Sequence, residues 1–185
     1  TFGLIAGTTI TVPQLKSADM SVDQDNSTRL SGILGINADF KFNDYFSIRP
    51  GLAYIGKSVG LSGADSFFSI NEKYDFYYLE VPLDFIGHIP FNSGANIFLG
   101  AGPYLAKGMS ASIKATIDNN DPIKQKLTYG NNGDLKPMDY GITTVVGFQA
   151  AKRWSVGINF DIGGTNIIQN SDPSGTSSLK LNTLY

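Results

Sequence analysis

The residues of this chain that can do chemistry are mostly carboxylates and cations set at two-residue spacing among apolar neighbours. Asp39, Lys41, Arg49, Lys57, Glu80, Asp84, Asp139 and Asp161 all sit on the polar parity of alternating stretches. Spacing of two puts side chains on one face of an extended strand. Ions gathered on one face can pair, move a proton or hold another ion. Pairing is the expectation here, with Arg49 and Lys41 taking Glu80, Asp84 and Asp161. Together with Asp39 and Asp139 these form a polar network, which reads as packing more than as a large source of stability.

Other chemistry is sparse. His88 is the only histidine, so the usual multi-histidine metal site cannot form, and no Ser or Asp stands beside it at a suggestive spacing. It reads as a satisfied histidine near a turn. The chain has no cysteine, which removes disulfides, thiolate zinc sites and Cys nucleophiles together. The runs Gly100-Ala101-Gly102 and Gly163-Gly164 open no helix, so they are not phosphate loops. They read as kinks or close backbone approaches. Asp118-Asn119-Asn120-Asp121 offers oxygens but lacks EF-hand spacing and a closing Glu. It reads as a solvated loop, as does Asn131-Asn132-Gly133-Asp134. No catalytic, cofactor-binding or metal-ligating residue is assigned, and the chain is not read as an enzyme.

The elements that position the charges are strands. In the stretch 154–163, Trp154, Val156, Ile158, Phe160 and Ile162 alternate with Ser155, Gly157, Asn159, Asp161 and Gly163. The pattern predicts eight strands, at 2–12 (stopped by Pro13), 30–42, 45–60, 73–89, 95–111, 138–151, 154–166 and 177–185. Connections alternate between short ones and long polar ones at 13–29, 61–72, 112–137 and 167–176. An up-and-down meander places all short turns at one end and all long loops at the other, as in outer-membrane barrels. Each stretch supplies the roughly 9–11 residues that a tilted strand needs to cross a bilayer.

Aromatics gather toward the strand ends. Phe42, Tyr45, Phe46 and Trp154 lie by the short turns, and Tyr54, Tyr77 and Tyr140 lie toward the long loops. Two such girdles anchor a barrel at both membrane interfaces. An Arg or Lys facing lipid at the midplane costs roughly 2–4 kcal/mol, so the charged face should point inward. Eight strands leave an interior only wide enough for side chains. The expected fold is therefore all-β, an eight-stranded antiparallel up-and-down transmembrane barrel.

Composition agrees. The 185 residues suit a single domain, 1–185. The formal net charge of −2 gives no electrostatic case for nucleic acid. No apolar run is long enough for a transmembrane helix. The first residues already read as strand, which suggests a mature or trimmed product.

Five motifs then resemble one family. Tyr78-Leu79-Glu80-Val81-Pro82-Leu83 resembles the "YLEIPL" signature of the PorT-like outer-membrane β-barrel proteins of Bacteroidetes. Arg49-Pro50-Gly51-Leu52-Ala53-Tyr54 resembles the strand before it, and Gly100-Ala101-Gly102-Pro103-Tyr104 the "GxGPY" strand after it. Met138-Asp139-Tyr140-Gly141 and Asn159-Phe160-Asp161-Ile162-Gly163 resemble the sixth and seventh strands. The resemblance implies an outer-membrane location and an OmpX-like eight-stranded fold, and little about activity. The family closes on an aromatic-ended strand. Here Leu181-Asn182-Thr183-Leu184-Tyr185 ends early, so the closing strand is expected to be short at the seam.

The resulting expectation is a small, monomeric, non-enzymatic barrel in the outer membrane, with no cofactor. Its partners are expected to be outer-membrane lipid or lipopolysaccharide, and a protein at the 112–137 loop, where Ile113, Ile117, Ile123 and Leu127 hint at a hairpin beyond the membrane. The competing expectations are a lipid-modifying enzyme, for which a Ser within hydrogen-bond reach of His88 is the discriminator, a narrow transport pore, and a soluble ligand-binding barrel.

Overall fold

The structure, a computed structural model, describes residues 1–16, 25–65, 68–117, 121–130, 133–150, 154–168 and 178–185. Its elements are β1 (Phe2–Lys16), β2 (Asp25–Ala38), β3 (Phe40–Lys41), β4 (Phe46–Asp65), β5 (Phe68–Pro90), β6 (Asn96–Ile117), β7 (Ile123–Leu127), β8 (Met138–Ala150), β9 (Trp154–Gly163) and β10 (Ser178–Leu184). All pairings are antiparallel, and they run β1–β2–β4–β5–β6–β8–β9–β10 and back to β1. The ring therefore closes on eight strands. β3 continues the line of β2 past a break at Asp39, and β7 adds to the outer part of β6.

The pleat turns alternation into two surfaces. On β5, Leu79, Val81, Leu83, Phe85 and Ile89 are exposed, while Tyr78, Glu80, Asp84, Ile86 and His88 are buried. The apolar face thus points out of the ring and the charged face into it. This is the reverse of a soluble β-barrel, where the apolar face fills the interior. At Gly102 and Gly163 an added Cβ would run into the carbonyl oxygens of Leu83 and Leu181, so these positions let neighbouring strands approach closely.

Turn chemistry fixes the short connections. Asn43 Oδ1 accepts from the backbone N–H of Tyr45 and of Phe46, both at 2.8 Å, the Asx-turn geometry. In the next turn Gly94 takes φ 81°, the left-handed region open to glycine, and its N–H reaches the Phe91 carbonyl at 3.0 Å.

Three expectations need correction. β1 does not stop at Pro13 but pairs with β10 as far as Lys16. Its pairing with β2 ends at Thr11, so the ring nitrogen of Pro13 deprives no ladder on that side. The connection expected at 61–72 is mostly strand, since β4 and β5 stay paired out to Asp65 and Phe68. Their alternating residues keep bonding partners beyond the ring, which satisfies backbone groups that would otherwise face water. The outer hairpin is formed by β6 with β7, through Ala111–Leu127 to Ala115–Ile123, and not by the following strand of the ring.

The seam is short but closed over part of its height. β10 pairs with β1 from Ile10 to Lys16 and with β9 from Phe160 to Ile162. Tyr185 and Asn159 exchange backbone hydrogen bonds at 2.6 and 2.9 Å. Nearer the short turns, β1 and β9 flank a cavity of about 220 Å³ whose walls include Ile5, Gly7, Asn37, Arg49, Asp84 and Val156.

Candidate functional site

The interior is filled in layers. At the short-turn end, Ser47 on β4, His88 on β5, Asn96 on β6 and Gln149 on β8 form one hydrogen-bonded row. Asn96 Nδ2 donates to Gln149 Oε1 at 2.9 Å, which leaves Asn96 Oδ1 facing His88 Nδ1 at 3.2 Å. In the neutral ring this makes Nδ1 the protonated nitrogen. His88 Nε2 then accepts from Ser47 Oγ at 2.8 Å. A Ser does lie within reach of the single histidine, brought there by strand pairing across 41 residues. Local spacing could not reveal it.

Above this row sits a small apolar layer of Ile86, Phe98 and Val145. The Arg49 guanidinium lies 4.6 Å from the centre of the Phe98 ring and 3.2 Å from Asp39 Oδ2. Next comes a charged layer. Lys57 Nζ stands 3.4 Å from Glu80 Oε2, 3.7 Å from Asp139 Oδ2 and 3.8 Å from Asp161 Oδ2, with all four side chains out of contact with solvent. Aromatic faces complete its surroundings, with Tyr104 at 5.0 Å and Tyr78 at 5.5 Å from the ammonium. Tyr104 Oη also donates to Asp139 Oδ2 at 3.1 Å.

The long-loop end is plugged by apolar side chains. Leu135 and Ile167 turn inward from the 128–137 and 164–168 segments and join Ile55, Val59, Phe76, Tyr78 and Leu181. Backbone bonds from Lys136 to Ile167 (2.9 Å) and from Ile167 to Leu179 (3.0 Å) hold the two segments together. The Tyr129 ring meets Tyr78 edge-on at 5.7 Å, and burial pushes its phenol up to about 12. At the edge of the same segment the Thr128 backbone N–H and hydroxyl donate to Asp134 Oδ2 at 2.9 and 3.0 Å, which holds that carboxyl below its ordinary range.

Of the expected polar network, Asp39, Arg49, Glu80, Asp84, Asp139 and Asp161 face the interior. Lys41 does not join them. It falls in the two-residue β3 at the rim and is exposed. The expected partners also change. Arg49 stands opposite Asp84 in the ladder but takes Asp39, and the cation that holds Glu80, Asp139 and Asp161 is Lys57. Its long stem reaches from its own rung to the carboxylates below. Parity marks Lys57 as inward-facing, and its reach is a three-dimensional fact. The plug residues Tyr129, Leu135 and Ile167 have a weaker signal, an apolar side chain inside a polar loop. Among the described residues no group of His, Cys, Asp and Glu is arranged to hold a metal ion. The run Asp118–Asn120 and the pair Asn131-Asn132 lie outside the described residues.

On the outside, Phe42, Tyr45, Phe46, Tyr54, Tyr140 and Trp154 are exposed. Tyr77 stacks on Tyr54 with ring centres 5.7 Å apart. An apolar exterior bounded by two aromatic rings, around a charged filled interior, is the inside-out arrangement of a membrane β-barrel. The family of the outer membrane protein beta-barrel domain matches residues 1–169. The chain belongs to that family. This outer-membrane barrel therefore has its short turns toward the periplasm and its long loops toward the outside. No curated protein matches the sequence. Among solved structures it is similar to Ail, the attachment invasion locus protein of Yersinia pestis, at 9% identity and TM-score 0.40, covering 99% of this chain and 92% of that one. A second structure of Ail, in complex with the heparin analogue sucrose octasulfate, is similar at the same identity and TM-score, with 94% of that chain covered.

Proposed function

We propose that this protein is a single-domain, non-enzymatic binding barrel whose acting part is the sheet that β4, β5, β6 and β7 raise beyond the membrane. The observation that carries the reading is β7. Residues Ile123–Leu127 pair with β6 on one side, and among the described residues nothing pairs on the other. A free edge of this kind can take an extended segment of a partner protein by strand addition. The filled interior, with Lys57 and three carboxylates under an apolar plug, supports binding over transport. Within the family, the PorT-like assignment rests on the Tyr78–Leu83 motif and its four companions.

The test is a pull-down from intact outer membranes with Lys124→Pro, which removes an edge N–H from β7, beside Lys124→Gln, which keeps that N–H and controls for the lost charge. Loss of partners supports the reading, and an unchanged set defeats it. Deletion of the whole 112–137 stretch would be a poor test, because Tyr129 and Leu135 belong to the barrel's filling.

A second reading, a hydrolase, has one observation in its favour, the Ser47–His88–Asn96 row. A serine bonded to an imidazole that is itself oriented by a third group is the layout of an activated nucleophile. Its test is labelling by a fluorophosphonate.

A further inference from the structure

The outward face of the raised sheet carries a stripe of lysines at one defined height. Cross-strand pairing puts Lys73 of β5, Lys114 of β6 and Lys124 of β7 directly abreast. Two residues nearer the membrane, Ser58, Asp75, Ser112 and Lys126 form the next row on the same face. This face is the outer one, because Tyr74, on the opposite face of β5, packs on the interior cluster. Like charges placed directly opposite on neighbouring strands repel. Among the described residues one carboxylate serves the stripe. Asp75 is 3.2 Å from Lys73 Nζ and 3.7 Å from Lys114 Nζ, and Ser58 donates to it at 2.7 Å. Lys124 and Lys126 are exposed, and the side chains of Lys73 and Lys114 are 33% and 38% exposed.

The height identifies the partner. The row of Asp75 and Lys126 lies one step, about 7 Å, above Tyr77 of the aromatic girdle, and the row of Lys73, Lys114 and Lys124 lies a further step out. Girdle aromatics sit at the level of lipid headgroups. Below the girdle the same two strands present Leu79, Val81 and Leu105 outward. Lys107, opposite Leu79 and facing out, can lay its stem along them and carry its ammonium upward. The surface is thus amphipathic in the order of a phosphorylated lipid, with cations just above the girdle and an aliphatic strip below it.

We infer that the lysine stripe of β5, β6 and β7 is a binding site for the phosphate groups of a phosphorylated glycolipid in the outer leaflet. The inference builds on the reading that the raised sheet is the acting part, and assigns its outer face to lipid and its β7 edge to protein. The two can fail separately, since lipid binding is measured on the purified barrel and the edge is tested by pull-down.

The test uses the barrel folded in phosphatidylcholine nanodiscs doped with diphosphorylated lipid A, read by native mass spectrometry of retained lipid. With each lysine near a membrane surface contributing roughly five-fold, the triple variant Lys114→Gln, Lys124→Gln, Lys126→Gln should bind about 100-fold more weakly. Lys41→Gln, at the opposite rim, should bind as the parent does. Retention should fall with added salt and with enzymatically dephosphorylated lipid A. A triple variant that is folded, as judged by its heat-modifiable gel mobility, and that retains lipid like the parent overturns the inference. Equal retention of the dephosphorylated lipid also overturns it. Equally tight binding of soluble heparin, lost in the same triple variant, would assign the stripe to a soluble polyanion instead.

Discussion

Lys57 Nζ lies 3.4 Å from Glu80 Oε2 in the middle of the barrel, with neither side chain touching solvent. Asp139 and Asp161 approach the same ammonium, so one cation is shared by three carboxylates. Removing one partner of a buried pair leaves an uncompensated charge, at a cost of about 3–5 kcal/mol. Lys57→Met is expected to destabilise the folded barrel by that amount, measured by guanidinium unfolding in detergent. Adding Glu80→Gln and Asp161→Asn should recover part of the loss. A single variant as stable as the parent would show that the layer is not held by charge.

The outer face makes the opposite demand. Leu83 lies on β5 between the two girdles, opposite Pro50 of β4, and faces lipid. Leu83→Arg is expected to cost about 2–4 kcal/mol in phosphatidylcholine vesicles. Ile89→Arg, beside the periplasmic turn and also facing out, should cost about 0–1 kcal/mol. Equal costs at the two positions would contradict the depth assigned here.

These two positions show how much of the protein is legible in its sequence. Period-two alternation tells which way Leu83 and Glu80 point, because the pleat allows only two faces. The ring order follows from short and long connections in turn. Partners within the interior do not follow, since they depend on stagger between strands and on side-chain length. Arg49 and Asp84 are direct ladder neighbours, yet Arg49 reaches Asp39 and Lys57 collects the carboxylates. Ser47 and His88 meet for the same reason. Nor does a polar loop announce that Leu135 will turn back into the barrel.

Asp134 gives a pH dependence outside the membrane. Two donors from Thr128 hold its carboxyl below the 3.8 of an ordinary aspartate in the folded loop. A group depressed on folding stabilises the folded form above its unfolded value and loses that contribution as pH falls through the folded one. The stability that the Thr128–Asp134 contact contributes should therefore be constant well above pH 3.8 and decline as pH falls through the folded value below it. NMR in micelles should show the Thr128 amide shifting with an apparent midpoint under pH 3.8, and Asp134→Asn should abolish the titration.

Ser47 and His88 carry the last prediction. With the ring neutral, the row Gln149–Asn96–His88–Ser47 directs every donor one way, and Nε2 faces the serine hydroxyl as an acceptor. That is the first requirement of a nucleophile. The second is access, and Ser47 and His88 are only 3% and 4% exposed. The seam cavity reaches Arg49 on the same strand and stops short of Ser47. The row is therefore expected to act as a hydrogen-bonded floor to the barrel. A fluorophosphonate should leave Ser47 unmodified in the folded protein. His88→Ala should cost about 1–3 kcal/mol, because it takes the ring partner from the buried Ser47 hydroxyl and from Asn96 Oδ1. Labelling that disappears in Ser47→Ala would reverse this conclusion in favour of the hydrolase, and a His88→Ala variant of parental stability would remove the structural role.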